Sequence, residues 1–154
     1  MELYIEFKKL VLALNADKIS YAICGGMAMA FYDVPRTTID IDIMIEESSL
    51  EASKEIARRQ GFTVDTGLLE LGKGAIKIYR LLKVDREYGD ELMLDLLLVT
   101  PAIKNAWETR EKRELEWGSV SVVSREGLIH LKSFRASGRD RDDISRLKGE
   151  GNAD

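Results

Sequence analysis

The chain has 154 residues, 45% hydrophobic and 32% charged, the balance of one soluble domain with room for a core. Lys and Arg number 23 against 27 Asp and Glu, a net charge of −4, which excludes a generally basic nucleic-acid coat protein but not a local basic patch. One cysteine, Cys24, and one histidine, His130, exclude an internal disulfide, a cysteine zinc site and a two-histidine metal motif. The start, Met1-Glu2-Leu3-Tyr4-Ile5-Glu6, is acidic where a signal peptide is basic, and no apolar run approaches the ~20 residues of a membrane span. A cytoplasmic protein without a membrane partner is expected.

Leu3, Phe7, Leu10, Val11 and Leu14 recur at helical spacing over residues 2–16, predicting a first helix. Residues 20–24 read as a buried strand, with Cys24 a small buried hydrophobe. Gly25-Gly26 follows, then a short helix from Met27 to Tyr32 that Asp33-Val34-Pro35-Arg36 breaks. From Thr38 to Glu46, Ile39, Ile41, Ile43 and Ile45 alternate with Asp40, Asp42, Met44 and Glu46, the period of a strand with two unlike faces. Ser48 or Ser49 can cap a helix over 50–60, which Gly61 ends. A strand begins at 62–65, and two more, 75–84 and 92–99, are joined by the charged turn 85–90. A short helical stretch runs from Pro101 to Glu108, and charged residues 109–116 lead into a strand over 119–123. Ser124 caps a helix over 125–136, and Gly138 precedes a last helix to Leu147. Residues 1–148 are expected to form a single domain, and 149–154 a disordered tail. The alternation predicts an α/β or α+β fold, a mixed sheet flanked by helices.

The strongest chemical feature is Arg36-Thr37-Thr38-Ile39-Asp40-Ile41-Asp42-Ile43. Carboxylates two residues apart on a strand share a face, and their repulsion is relieved by a cation. Mg²⁺ takes one or two carboxylates plus substrate phosphates; two ordinary surface acids on an edge strand are the other reading. Asp95, inside Met93-Leu94-Asp95-Leu96-Leu97-Leu98-Val99, is costly there without a partner. It either joins Asp40 and Asp42 around two divalent ions or pairs with a Lys or Arg. Lys132, Arg135 and Arg139 fall on one helical face, in a segment from Arg125 to Lys148 with seven basic and four acidic residues. That face either attracts phosphate or is simply solvated. Arg36 either binds phosphate, pairs with Asp33 or caps a helix. Thr38 reads as structural, His130 as a packing or surface residue, and Trp107 and Trp117 carry no recognisable pattern.

Gly25-Gly26-x-Ala28, Arg36-x-Thr38-x-Asp40-Ile41-Asp42 and the isolated strand acid Asp95 together resemble the nucleotidyltransferase superfamily of the DNA polymerase β type, and within it the small stand-alone AbiEii-like proteins. The resemblance extends to Gly127–Lys132 and Arg139-Asp140-Arg141-Asp142-Asp143-Ile144, so it spans roughly residues 20–147. Asp140 and Asp143 fit the C-terminal spacing, with Asp142 the alternative to Asp140. Gly-Gly stands where many members have Gly-Ser, and the spacer to the acid strand is about two residues short. The resemblance implies a minimal nucleotidyltransferase fold and transfer of a nucleoside monophosphate from a nucleoside triphosphate to RNA, protein or a small molecule. It implies Asp40, Asp42 and Asp95 as catalytic ligands of two Mg²⁺ or Mn²⁺ ions. Gly25, Gly26, Arg36, Thr38, Lys132, Asp140 and Asp143 are the implied nucleotide-binding set. A toxin with a cognate antitoxin partner, and a degenerate module of the same fold that binds nucleotide without turnover, are further expectations.

Overall fold

The computed structural model describes residues 1–35, 37–135 and 138–149; Arg36 and the end of the tail lie outside them. Seven strands form one mixed sheet: β1 (Tyr21–Cys24), β2 (Asp40–Ile45), β3 (Val64–Leu71), β4 (Ile76–Asp85), β5 (Asp90–Leu98), β6 (Glu111–Leu115) and β7 (Gly118–Val122). Their order is β3-β4-β5-β2-β1-β7-β6. Pairs β2–β5 and β1–β7 are parallel and the rest antiparallel. The described residues also form six α-helices: α1 (Leu3–Ala16), α2 (Gly25–Met29), α3 (Leu50–Arg59), α4 (Lys104–Glu108), α5 (Arg125–Ser133) and α6 (Gly138–Leu147). Among the described residues no helix is long and apolar enough to cross a membrane.

Strand β2 is central because its isoleucines leave it no other place. Ile41, Ile43 and Ile45 are fully buried, so period two turns Asp40 and Asp42 together to the opposite face. Helix α1 buries Phe7, Leu10, Val11 and Leu14, and Glu2 caps it through a hydrogen bond from the Tyr4 amide. Ser124 caps α5 by accepting from the Gly127 amide at 3.0 Å, as its spacing predicts.

Several expectations are corrected. Ile39 precedes the paired part of β2 and is 76% exposed. Helix α2 begins at Gly25 rather than Met27. Ser49 makes no side-chain cap to α3, because a single 3₁₀ turn over Glu47–Ser49 leads into that helix. The segment 109–116 contains a strand, β6, whose charged residues suit a sheet edge, where strand pairing with a second chain is discouraged. Strand β3, the other edge, runs on to Leu71 through an irregularity between Asp65 and Gly67. Helix α5 stops at Ser133, so Lys132, Arg135 and Arg139 do not share one helix.

Candidate active site

One row of side chains crosses four strands. Register pairs Cys24 of β1 with Asp42 of β2, Asp42 with Asp95 of β5, and Asp95 with Arg80 of β4. Directly paired residues project to the same face, so the sheet aligns a buried thiol, two carboxylates and a guanidinium. Asp40 lies two residues before Asp42 on that face. These groups open on a cavity of about 130 Å³. Asp40, Asp42, Asp95, Arg80, Gly26 and Thr38 form part of its wall, and Lys132, Arg135, Arg139 and Asp140 the rest. The cavity holds four acids and four cations, so it suits a ligand that is itself highly charged.

The four acids differ in their partners. Asp95, 8% exposed at its side chain, accepts from Arg80 Nε at 2.8 Å and Nη2 at 3.1 Å. Each oxygen thereby accepts one hydrogen bond, and the ion pair with an arginine is formed. Among the described residues no cation forms an ion pair with Asp40 or Asp42. Burial pushes the Asp42 carboxyl up to about 7, reinforced by the charges of Asp95 and then Asp40 and opposed by Arg135 and Lys132. Asp40 is raised by burial and then by Asp95, while Arg80, Arg135 and Arg139 pull it down. The Cys24 thiol is raised first by burial and next by Asp42, which leaves it an inert neighbour rather than a nucleophile.

Gly25 is required where it stands. Its φ is +66°, and a Cβ there would collide with the Asp42 carboxylate and lie 2.7 Å from Asp42 Cβ. The absence of a side chain lets Asp42 rest on the first turn of α2, packed against β1 and β2. Thr38 Oγ1 donates to the Asp40 carbonyl at 3.3 Å, fixing the approach to β2.

The cationic wall comes from the C-terminal helices. Lys132 is buried rather than solvated, its Nζ 3.1 Å from Asp143 Oδ2, with both side chains about 5% exposed. Arg135, past the end of α5, reaches Asp140 at 3.7 Å, and Arg139 of α6 donates to the Thr37 carbonyl at 2.9 Å. The three cations meet at the cavity because α6 folds back on α5, not through helical period. Asp140 is buried and faces the cavity, whereas Asp142 is exposed. Gly25 lines a smaller apolar cavity that shares Asp42, Lys132 and Arg135 with the first, and Asp143 is paired with Lys132. Arg36 lies outside the described residues. His130 is at the surface against Phe134, its Nε2 donating to the Ala102 carbonyl at 3.2 Å.

Sequence reasoning missed Arg80. Its signal was weak, a cation between Tyr79 and Leu81 in a strand that also carries Lys77 and Lys83. Linking the two requires the β4–β5 register.

The acids do not form a ready cage. Among the described residues no group of three or more His, Cys, Asp and Glu side chains is arranged to hold a metal ion, since Asp95 is turned to Arg80. Asp40 and Asp42 nonetheless fit a hard divalent cation, which needs only one or two carboxylates when substrate phosphates complete its shell.

Solved structures share this architecture. Lincosamide antibiotic adenylyltransferase LnuA, bound to lincomycin, superimposes with a TM-score of 0.60 at 15% identity, covering 93% of this chain and 94% of that one. The fold is that of nucleotidyltransferases. A putative nucleotidyltransferase from Thermotoga maritima matches with a TM-score of 0.57 at 14% identity, covering 93% and 89% of the two chains. ANT(2'')-Ia in complex with adenylyl-2''-tobramycin matches with a TM-score of 0.55 at 14% identity, covering 93% and 95%. No protein-family model matches the chain, and no curated protein matches it in sequence.

Proposed function

We propose that this chain is a metal-dependent nucleotidyltransferase that moves a nucleoside monophosphate from a nucleoside triphosphate to the hydroxyl of a small molecule. One observation carries the reading: Asp40 and Asp42 share a strand face, lack a cation partner among the described residues and look across one cavity at Lys132, Arg135 and Arg139. Carboxylates on one side and cations on the other suit a metal–triphosphate. The acceptor class is supported by LnuA and ANT(2'')-Ia, proteins of similar extent whose ligands are antibiotics. The AbiEii-like subgroup and the toxin role rest on sequence resemblance alone.

Asp40 and Asp42 would hold Mg²⁺ or Mn²⁺, which when bound offsets negative charge on the phosphates. Lys132, fixed by Asp143, presents a positive charge that does not need to be ordered on binding. Arg135 and Arg139 add charge at the rim, and the Gly26 backbone borders the same space. In the transfer, the acceptor oxygen bonds to the α-phosphorus, the bond to the bridging oxygen breaks, and pyrophosphate leaves. The hydroxyl proton passes to Asp95.

A binding module without turnover is favoured by two observations, the engagement of Asp95 by Arg80 and the lack of a hydroxyl in Gly25-Gly26. The test is to offer labelled nucleoside triphosphates with Mg²⁺ or Mn²⁺ to lincosamides, aminoglycosides, total RNA and protein extract. Label is expected on a small molecule, with none after Asp40→Asn plus Asp42→Asn. Nucleotide binding that depends on those acids but labels no acceptor selects the module, and no binding at all rejects the proposal.

A further inference from the structure

Arg80 is the cation closest to the acids of the cavity, and it is committed to the wrong partner for transfer. Its Nε and Nη2 hold both Asp95 oxygens, so an incoming hydroxyl must compete with two charge-assisted hydrogen bonds for that carboxylate. Asp95 is nearly enclosed, whereas the Arg80 side chain is 35% exposed, and Nη1 makes no hydrogen bond among the described residues. The guanidinium therefore has a free edge and room to move, while the carboxylate has neither. Both lie in the cavity lined by Gly26 and Lys132. A phosphate is the anion that matches the guanidinium fork as well as a carboxylate does.

We propose that Arg80 is a nucleotide-binding residue that exchanges anions: without nucleotide it caps Asp95, and the incoming polyphosphate draws it away, freeing Asp95 only when substrate is present. This rests on the nucleotidyltransferase reading and deepens it, by assigning Arg80 to the phosphates. The exchange replaces one charge-assisted pair by another and leaves Asp95 as an unpaired carboxylate beside the substrate. Asp40 and Asp42 form no ion pair with Arg80 among the described residues; its charged form is favoured first by the Asp95 hydrogen bond and more weakly by those two charges.

The exchange predicts that the Arg80–Asp95 pair competes with substrate, so removing Asp95 should tighten polyphosphate binding through Arg80. Inorganic triphosphate, titrated calorimetrically in chelator, probes this without a metal ion. Asp95→Asn should bind it roughly tenfold more tightly than the native chain, about 1.4 kcal/mol. In the Arg80→Met background, the same Asp95→Asn change relieves only charge repulsion and should tighten binding clearly less than it does with Arg80 present. If Arg80→Met alone does not fold, the Arg80→Met/Asp95→Asn double variant, which carries no unpaired charge at the pair, is compared with Asp95→Asn: weaker triphosphate binding by the double variant supports Arg80 as a phosphate ligand, and equal binding overturns the exchange. Equal tightening in both backgrounds means that Asp95 only repelled the anion, and overturns the exchange. No tightening in Asp95→Asn overturns it as well, with Arg80 then a structural counter-ion. If neither the native chain nor Asp95→Asn binds triphosphate, or ATP with Mg²⁺, the nucleotidyltransferase reading itself fails.

Discussion

Replacing Asp42 by Asn should stabilise the protein at alkaline pH. Burial and the neighbouring acids lift its carboxyl from the ordinary 3.8 to about 7, so the native state holds a proton that the unfolded chain has released. Between pH ~4 and ~7 stability then falls as pH rises, because the native state binds more protons than the unfolded one. Three pH units at about 1.4 kcal/mol each give a penalty of about 4 kcal/mol above pH 7. Asn keeps the planar shape that lies on Gly25 and removes the charge. Some cost of burying the amide remains, so a gain of roughly 2–4 kcal/mol is expected at pH 8 and almost none at pH 4. For a domain of this size that is roughly 10 °C in Tm. Urea unfolding in chelator, at a series of pH values, measures it. Millimolar MgCl₂ should return much of the loss to the native protein and nothing to the variant. Parallel stability–pH curves for the two proteins would refute the assignment of the raised carboxyl to Asp42, and an equal Mg²⁺ response in both would place the ion elsewhere.

Two further substitutions probe the walls of the cavity. Lys132→Met should lower stability by about 1–3 kcal/mol by urea unfolding, because it removes a cation from buried Asp143; no loss would mean that the pair contributes nothing to folding. Gly25→Ala combines a left-handed backbone with overlap on Asp42, and a loss of about 2–4 kcal/mol is expected, together with a weakened Mg²⁺ response in thermal melts.

Local pattern made much of this protein legible from its sequence. The alternation from Asp40 to Ile45 fixes a strand with acids on one face and isoleucines on the other, since period two leaves no other arrangement. The spacing of Phe7, Leu10, Val11 and Leu14 fixes α1, and Ser124 three residues before Gly127 fixes the start of α5. Each depends on residues within one or two turns of each other. The partner of Asp95 is of another kind. Arg80 reaches it only because β4 and β5 pair in one register, and a slip of one residue would turn Arg80 to the other face. Lys132 reads as a surface cation along α5 and becomes buried when α6 folds back and brings Asp143 to it. Charged β6 looks like a loop until β7 supplies its hydrogen bonds. Periodicity within a segment says which way a side chain points; which charge it meets is set by pairing between distant segments, and the tertiary structure alone decided that.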